Sequence, residues 1–156
     1  MTTTQVAERC GVAPHKVIHL VEEGVVTPTV NPSGRGRVRR FSQDDLLVTA
    51  TALELQRWGV KVRMLLVLSL YLQRFASAVR DSREDSLVST LLSVPESAGR
   101  MLVHLLDGKT AVIENPTGRT LISTESGPHR LEPGEGIPAA SWVTVDLRAV
   151  AARISK

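Results

Sequence analysis

Apolar residues recur at helical spacing from the start of the chain. Val6, Ala7 and Cys10 share one face of a short helix predicted over residues 5–10, which Thr4 can cap, and Gly11 supplies the permissive backbone of a turn. Val12 can plug that turn. Pro14 suits the first position of a second helix, because its missing N–H has no helical partner to lose. Within it Val17, Leu20 and Val21 lie three and four apart on one side, while the opposite side carries His15, Ile18, His19 and Glu22 with Lys16 at its flank. Gly24 ends the helix. The β-branched run 25–30, the turn Asn31-Pro32-Ser33-Gly34 and a returning segment 37–41 predict a hairpin. Ser42 with Asp45 three residues on opens a third helix that Gly59 breaks after Trp58. A fourth starts at Val60 or Lys61 and runs to the region of Arg80, with Leu65, Leu68, Leu72, Phe75 and Val79 in the alternating spacing of a short coiled-coil seam. Leu66, Val67 and Leu70 widen its apolar surface, so something must cover it.

Polar residues 81–86 mark the best boundary, dividing the chain into a segment 1–80 and a segment 81–156. Residues 87–94 pattern as a helix. Pro95-Glu96 opens another, in which Ala98, Met101, Leu102, Leu105 and Leu106 share a face until Gly108. Residues 110–113 and 120–123, around Asn115-Pro116-Thr117-Gly118, predict a β-hairpin. Residues 127–140, rich in Gly and Pro, are expected to be loop. A strand over 142–145 then leads to Asp146, which can cap a last helix carrying Leu147, Val150, Ala151 and Ile154. The fold class expected is mostly α with a little β: a winged helix-turn-helix followed by a small α+β domain.

Charge sharpens this picture. The net +3 divides into 11 Lys/Arg against 6 Asp/Glu over residues 1–80 and 8 against 10 over the rest, so the positive charge belongs to the first half. Most of it is concentrated in Gly-Arg-Gly-Arg-Val-Arg-Arg, residues 34–40, where four arginines crowd into six positions. Like charges held that close call for a polyanion. On an extended strand Arg35, Arg37 and Arg39 point the same way, and with Arg40 they are candidates for phosphate contact or for a narrow minor groove. His15, Lys16 and His19 are the candidates on the second helix for base edges or phosphate, whereas Glu22 on the same side opposes phosphate.

Other chemistries find little support. There is no glycine-rich phosphate loop, no nucleophile motif and no His-x-x-x-His pair, so an enzyme is not expected. Cys10 is the only cysteine, which excludes an internal disulfide and paired-thiolate metal sites; it reads as a small core residue. His104 in an apolar stretch and His129 in the predicted loop have no second ligand at metal spacing, and no cofactor is implied. The opening Met-Thr-Thr-Thr-Gln lacks the regions of a secretory signal. The longest apolar run, 64–72, falls short of the roughly 20 residues that span a bilayer, so a cytoplasmic location away from membranes is expected.

Residues 5–70 resemble the DNA-binding domain of the MerR family of bacterial regulators. The matching stretches are Val6-Ala7-Glu8-Arg9-Cys10-Gly11-Val12, Glu22-Glu23-Gly24-Val25-Val26-Thr27-Pro28, the Arg-Arg-Phe-Ser-Gln-Asp-Asp-Leu run ending at Leu46, and Leu53-x-Leu55-x-x-Trp58-Gly59-Val60. Where the family usually has Arg-Tyr-Tyr in the second helix, this chain has Ile18, His19 and Leu20, and Ala13 replaces the small polar cap. The resemblance implies a transcriptional regulator that binds double-stranded DNA as a homodimer, paired through the 65–79 helix, the C-terminal portion, or both. An adaptor whose residues 81–156 dock another protein is the alternative. A small-molecule sensor is a third reading, disfavoured by one Trp and no Tyr or Phe beyond residue 81.

Overall fold

Reciprocal capping starts the fold. The Thr2 side chain accepts from the Gln5 N–H at 3.3 Å while the Gln5 side-chain Oε1 accepts from the Thr2 N–H at 2.8 Å, so α1 spans Thr3–Cys10 with Thr2, rather than Thr4, at its cap. The computed structural model describes residues 1–32, 38–83, 85–95, 100–106, 109–115, 118–131 and 143–156. Gly11 ends α1 at φ 64°, a left-handed conformation that glycine adopts without the Cβ penalty, and its N–H bonds back to Glu8. Pro14 then opens α2, Pro14–Glu22, behind an Ala13 cap that makes no side-chain bond. Val17 and Leu20 are fully buried, and together with Val6 and Ala7 they form the inner face of a helix-turn-helix.

The expected hairpin after α2 reduces, among the described residues, to one bridge between Val30 and Arg40, whose N–H and C=O groups exchange bonds of 3.0 and 2.9 Å. Residues 25–28 do not alternate as a strand because Val25, Val26 and Pro28 all turn inward, and the Thr29 N–H is taken by a side chain. That side chain is Asp45. Its Oδ2 accepts from the Ser42 N–H at 2.8 Å, the Thr29 N–H at 2.9 Å and the Thr29 hydroxyl at 2.6 Å, so one carboxylate both caps α3, Gln43–Arg57, and fixes the base of the wing. Residues 33–37, including Arg35 and Arg37, lie outside the described residues.

Helix α3 is the axis of the molecule: Asp44 through Leu53, and Leu55, are buried beneath α1, α4, α5 and α6. Helix α4, Val62–Arg83, packs against it along Met64, Leu65, Leu68, Leu72 and Ala76. By length and composition the stretch Val62–Ser82 is apolar enough to cross a membrane; one face of it joins the protein core, and 33% of its most apolar window is buried. Asp44, itself buried, accepts from Arg80 at 2.7 Å and from the Val88 N–H at 3.3 Å, tying the far end of α4 and the start of α5, Leu87–Ser93, to α3.

Past α5 the sequence expectation is corrected. The segment expected to be helical through Met101, Leu102, Leu105 and Leu106 contains a strand, β1, Leu102–Leu105; Ala98 and Gly108 lie outside the described residues. Val103 and Leu105 are buried while Leu102 and His104 are less so, a two-residue period that the surrounding leucines disguised as a helical face. The predicted hairpin is present as β2, Thr110–Asn115, and β3, Gly118–Ser123, in register from Thr110 with Ser123 to Asn115 with Gly118. Residues 127–130, expected to be loop, form β4, Gly127–Arg130, because the chain turns straight back along β3. His129 therefore sits in a strand. With β5, Val143–Asp146, the sheet is antiparallel throughout in the order β4-β3-β2-β1-β5; Trp142 and residues 132–140 lie outside the described residues.

Asp146 caps α6, Leu147–Ile154, by accepting from the N–H groups of Arg148 and Ala149. Its buried residues are those the pattern picked out, Leu147, Val150, Ala151 and Ile154, and they pack on α3 and α5. Arg9 of α1 donates to the Ile154 carbonyl at 3.0 Å. The hydrophobic core thus runs unbroken from Val6 to Ile154.

Candidate nucleic-acid interface

Helix α2 turns Val17 and Leu20 inward, which leaves His15, Lys16 and His19 exposed on its outer side. These three line one open groove of about 410 Å³ together with Val12 and with Leu53, Gln56 and Arg57 from the end of α3. The grouping expected from α2 is therefore present. Gln56 and Arg57 are additions that the linear pattern does not reveal, since only packing shows which residues of α3 border α2. Lys16 has no carboxylate within ion-pair distance among the described residues, and His19 Nδ1 lies 4.0 Å from Glu23, also exposed. Of the three positions that differ from the Arg-Tyr-Tyr pattern, Leu20 is a core residue and Ile18 is half-buried, so His19 alone projects fully.

At the wing, Arg40 is exposed and Arg39 is partly covered. Arg39 donates to the side-chain oxygen of Asn31 at 3.2 Å, a neutral acceptor that orients the guanidinium and leaves its charge intact. Neither arginine pairs with a carboxylate among the described residues. Val30 and Val38 are half exposed beside them, giving the wing an apolar edge next to its cations.

The seam positions of α4 have another fate. Leu65, Leu68 and Leu72 are at most 2% exposed within the chain's own fold, and Phe75 and Val79 continue that stripe half-buried, with Phe75 stacked on Tyr71 at 6.4 Å. Toward solvent the helix presents Leu70, 49% exposed, between Arg63 and Arg74, while Leu66 and Val67 beside it are half-buried against the core.

Cys10 is partly covered at the end of α1, and burial raises its thiol pKa to about 11, with the Arg153 charge pulling slightly the other way. The thiol stays protonated at neutral pH. Alkylation by iodoacetamide at pH 7.5 is accordingly expected to be slow for native protein and fast after unfolding in urea, as read by mass spectrometry; equal rates would contradict that environment. His104 pairs its Nδ1 with the Thr144 hydroxyl at 3.0 Å across β1 and β5, a structural contact well away from α2.

Compared with known proteins, residues 1–65 match the family described as MerR HTH family regulatory protein, a match that takes in α1 to α3 and the wing and ends within α4. No curated protein matches the chain.

Proposed function

We propose, from the premise that the N-terminal part of this chain is a MerR-type helix-turn-helix domain of a DNA-binding regulator, that it acts as a sequence-specific, cytoplasmic, homodimeric transcription factor. The observation that carries this reading is the grouping of His15, Lys16, His19 and Arg57 on one groove, where Lys16 has no carboxylate within ion-pair distance among the described residues, with Arg39 oriented by neutral Asn31 and Arg40 exposed at the wing. In such domains the second helix enters the major groove and the wing follows the backbone. His19 and Lys16 would then face base edges and phosphate, and Arg35, Arg37, Arg39 and Arg40 would take phosphates or a narrow minor groove.

Residues 1–80 serve as the DNA module in this proposal, and residues 81–156 serve dimerisation or partner binding. The outward strip of α4, the exposed Leu70 with the half-buried Leu66 and Val67 at its edge, suits pairing of two copies, since such an apolar edge flanked by Arg63 and Arg74 gains by being covered. Two-fold pairing sets two α2 helices on successive major grooves, roughly one helical turn apart. Selection from a random duplex pool is expected to enrich an inverted repeat with that spacing. Recovery of unenriched sequence would defeat the claim of specificity, and an enriched single half-site would defeat the dimer.

A further inference from the structure

Glu54 of α3 stands one turn before Arg57 and lines a neighbouring pocket together with Arg153 of α6, so two arginines approach its carboxylate. Its Oε2 accepts a hydrogen bond from Arg153 of α6 at 3.1 Å, while Arg57, on its own helix one turn away, approaches the same oxygen only to 3.8 Å. Arg57 is the arginine that lines the groove with His15, Lys16 and His19, and its side chain is 60% exposed. We infer that Arg153 is a positioning residue for the DNA face: by holding the Glu54 carboxylate from the C-terminal helix, it keeps the Glu54–Arg57 pair loose, at 3.8 Å, so that the exposed Arg57 guanidinium can reach phosphate.

Three facts support this. The anchor is firm, because α6 is seated by Leu147, Val150, Ala151 and Ile154 and clasped by the bond from Arg9 to the Ile154 carbonyl. The carboxylate is only about a quarter exposed, so its field is less screened by water than that of an open surface acid. Without Arg153 the remaining partner of Glu54 is Arg57, an i,i+3 pair on one helix that draws the guanidinium back from the groove. Arg153 lies far outside residues 1–65, so this part of the chain adds a control on DNA affinity that the family match does not contain.

The inference rests on the DNA-binding reading, and its test separates the two. Fluorescence anisotropy with a mixed-sequence duplex over a salt series, together with thermal unfolding, is run on wild type, R153Q, R153K, E54Q and the E54Q/R153Q pair. R153Q is expected to bind about two- to fivefold more weakly at low salt, the range set by partly exposed ion pairs, and R153K to retain most of the affinity. In the E54Q background R153Q is expected to change nothing. An equal loss in both backgrounds would mean that Arg153 acts on phosphate itself and would overturn the inference, as would R153Q binding like wild type. A loss that tracks a lowered melting temperature in R153K as well would reduce Arg153 to a structural role and overturn it too. Wild-type protein with no salt-dependent duplex binding would remove the DNA-binding reading, and this inference with it.

Discussion

Replacing Arg37, Arg39 and Arg40 together with alanine is expected to weaken duplex binding by about a hundredfold at low salt, taking about 1 kcal/mol for each charge-assisted phosphate contact. The salt dependence should flatten at the same time. Each phosphate contact releases condensed counterions, so losing three lowers the slope of log affinity against log salt by about 0.9 per contact. The size of the effect follows from how the wing is held. Arg39 is oriented by neutral Asn31, and neither it nor Arg40 is neutralised by a carboxylate among the described residues, so their charge is available to a polyanion. Stability should barely change, because Arg39 and Arg40 carry none of the core. A triple variant that binds with unaltered affinity and slope would eliminate the wing as a DNA contact.

The second large effect divides α4 into two faces. Leu68→Ala is expected to cost about 2–5 kcal/mol of stability at any protein concentration, since it opens a cavity where α4 meets α3. Leu70→Glu should leave the unfolding of each chain nearly unchanged and shift a dimer to monomer in light scattering, because that side chain faces solvent in the single chain. Urea denaturation and light scattering on the two variants give opposite patterns if the outward strip is the pairing surface. Dimer retained in Leu70→Glu and lost in Leu68→Ala without loss of fold would restore the seam of Leu65, Leu68 and Leu72 as the interface.

The sequence was legible where local rules decide. Helices α2 and α3 follow from Pro14, from the Ser42 and Asp45 capping pair, and from apolar positions three and four apart; the last helix follows from Asp146. Residues 110–123 announced their hairpin by turn residues between β-branched runs. Two kinds of position were not legible. Leu102-Val103-His104-Leu105 carries too many leucines for periodicity to distinguish strand from helix, and what decides is its place between β2 and β5, a long-range pairing. Likewise, spacing identified Leu65, Leu68 and Leu72 as a stripe but not what would cover it, which is the chain's own core, with α3, α5 and β3 packed against α4. At the candidate interface His15, Lys16 and His19 were readable from the outward side of one helix. Arg57 was not, because its place on that surface depends on the packing of the end of α3 beside α2, nor was the tie from Arg153 to Glu54, a contact between residues 99 positions apart.

Asp45 also determines how the wing can evolve. The stem is closed by three bonds to one carboxylate oxygen and by the Val30 and Arg40 bridge, so its closure rests on groups outside residues 31–39. Lengthening such a closed tip is inexpensive, with each doubling of loop length adding only about 0.6 kcal/mol of closure entropy. Exchange of residues 31–39 for those of another wing is therefore expected to retarget the protein while the bonds that close the stem stay in place.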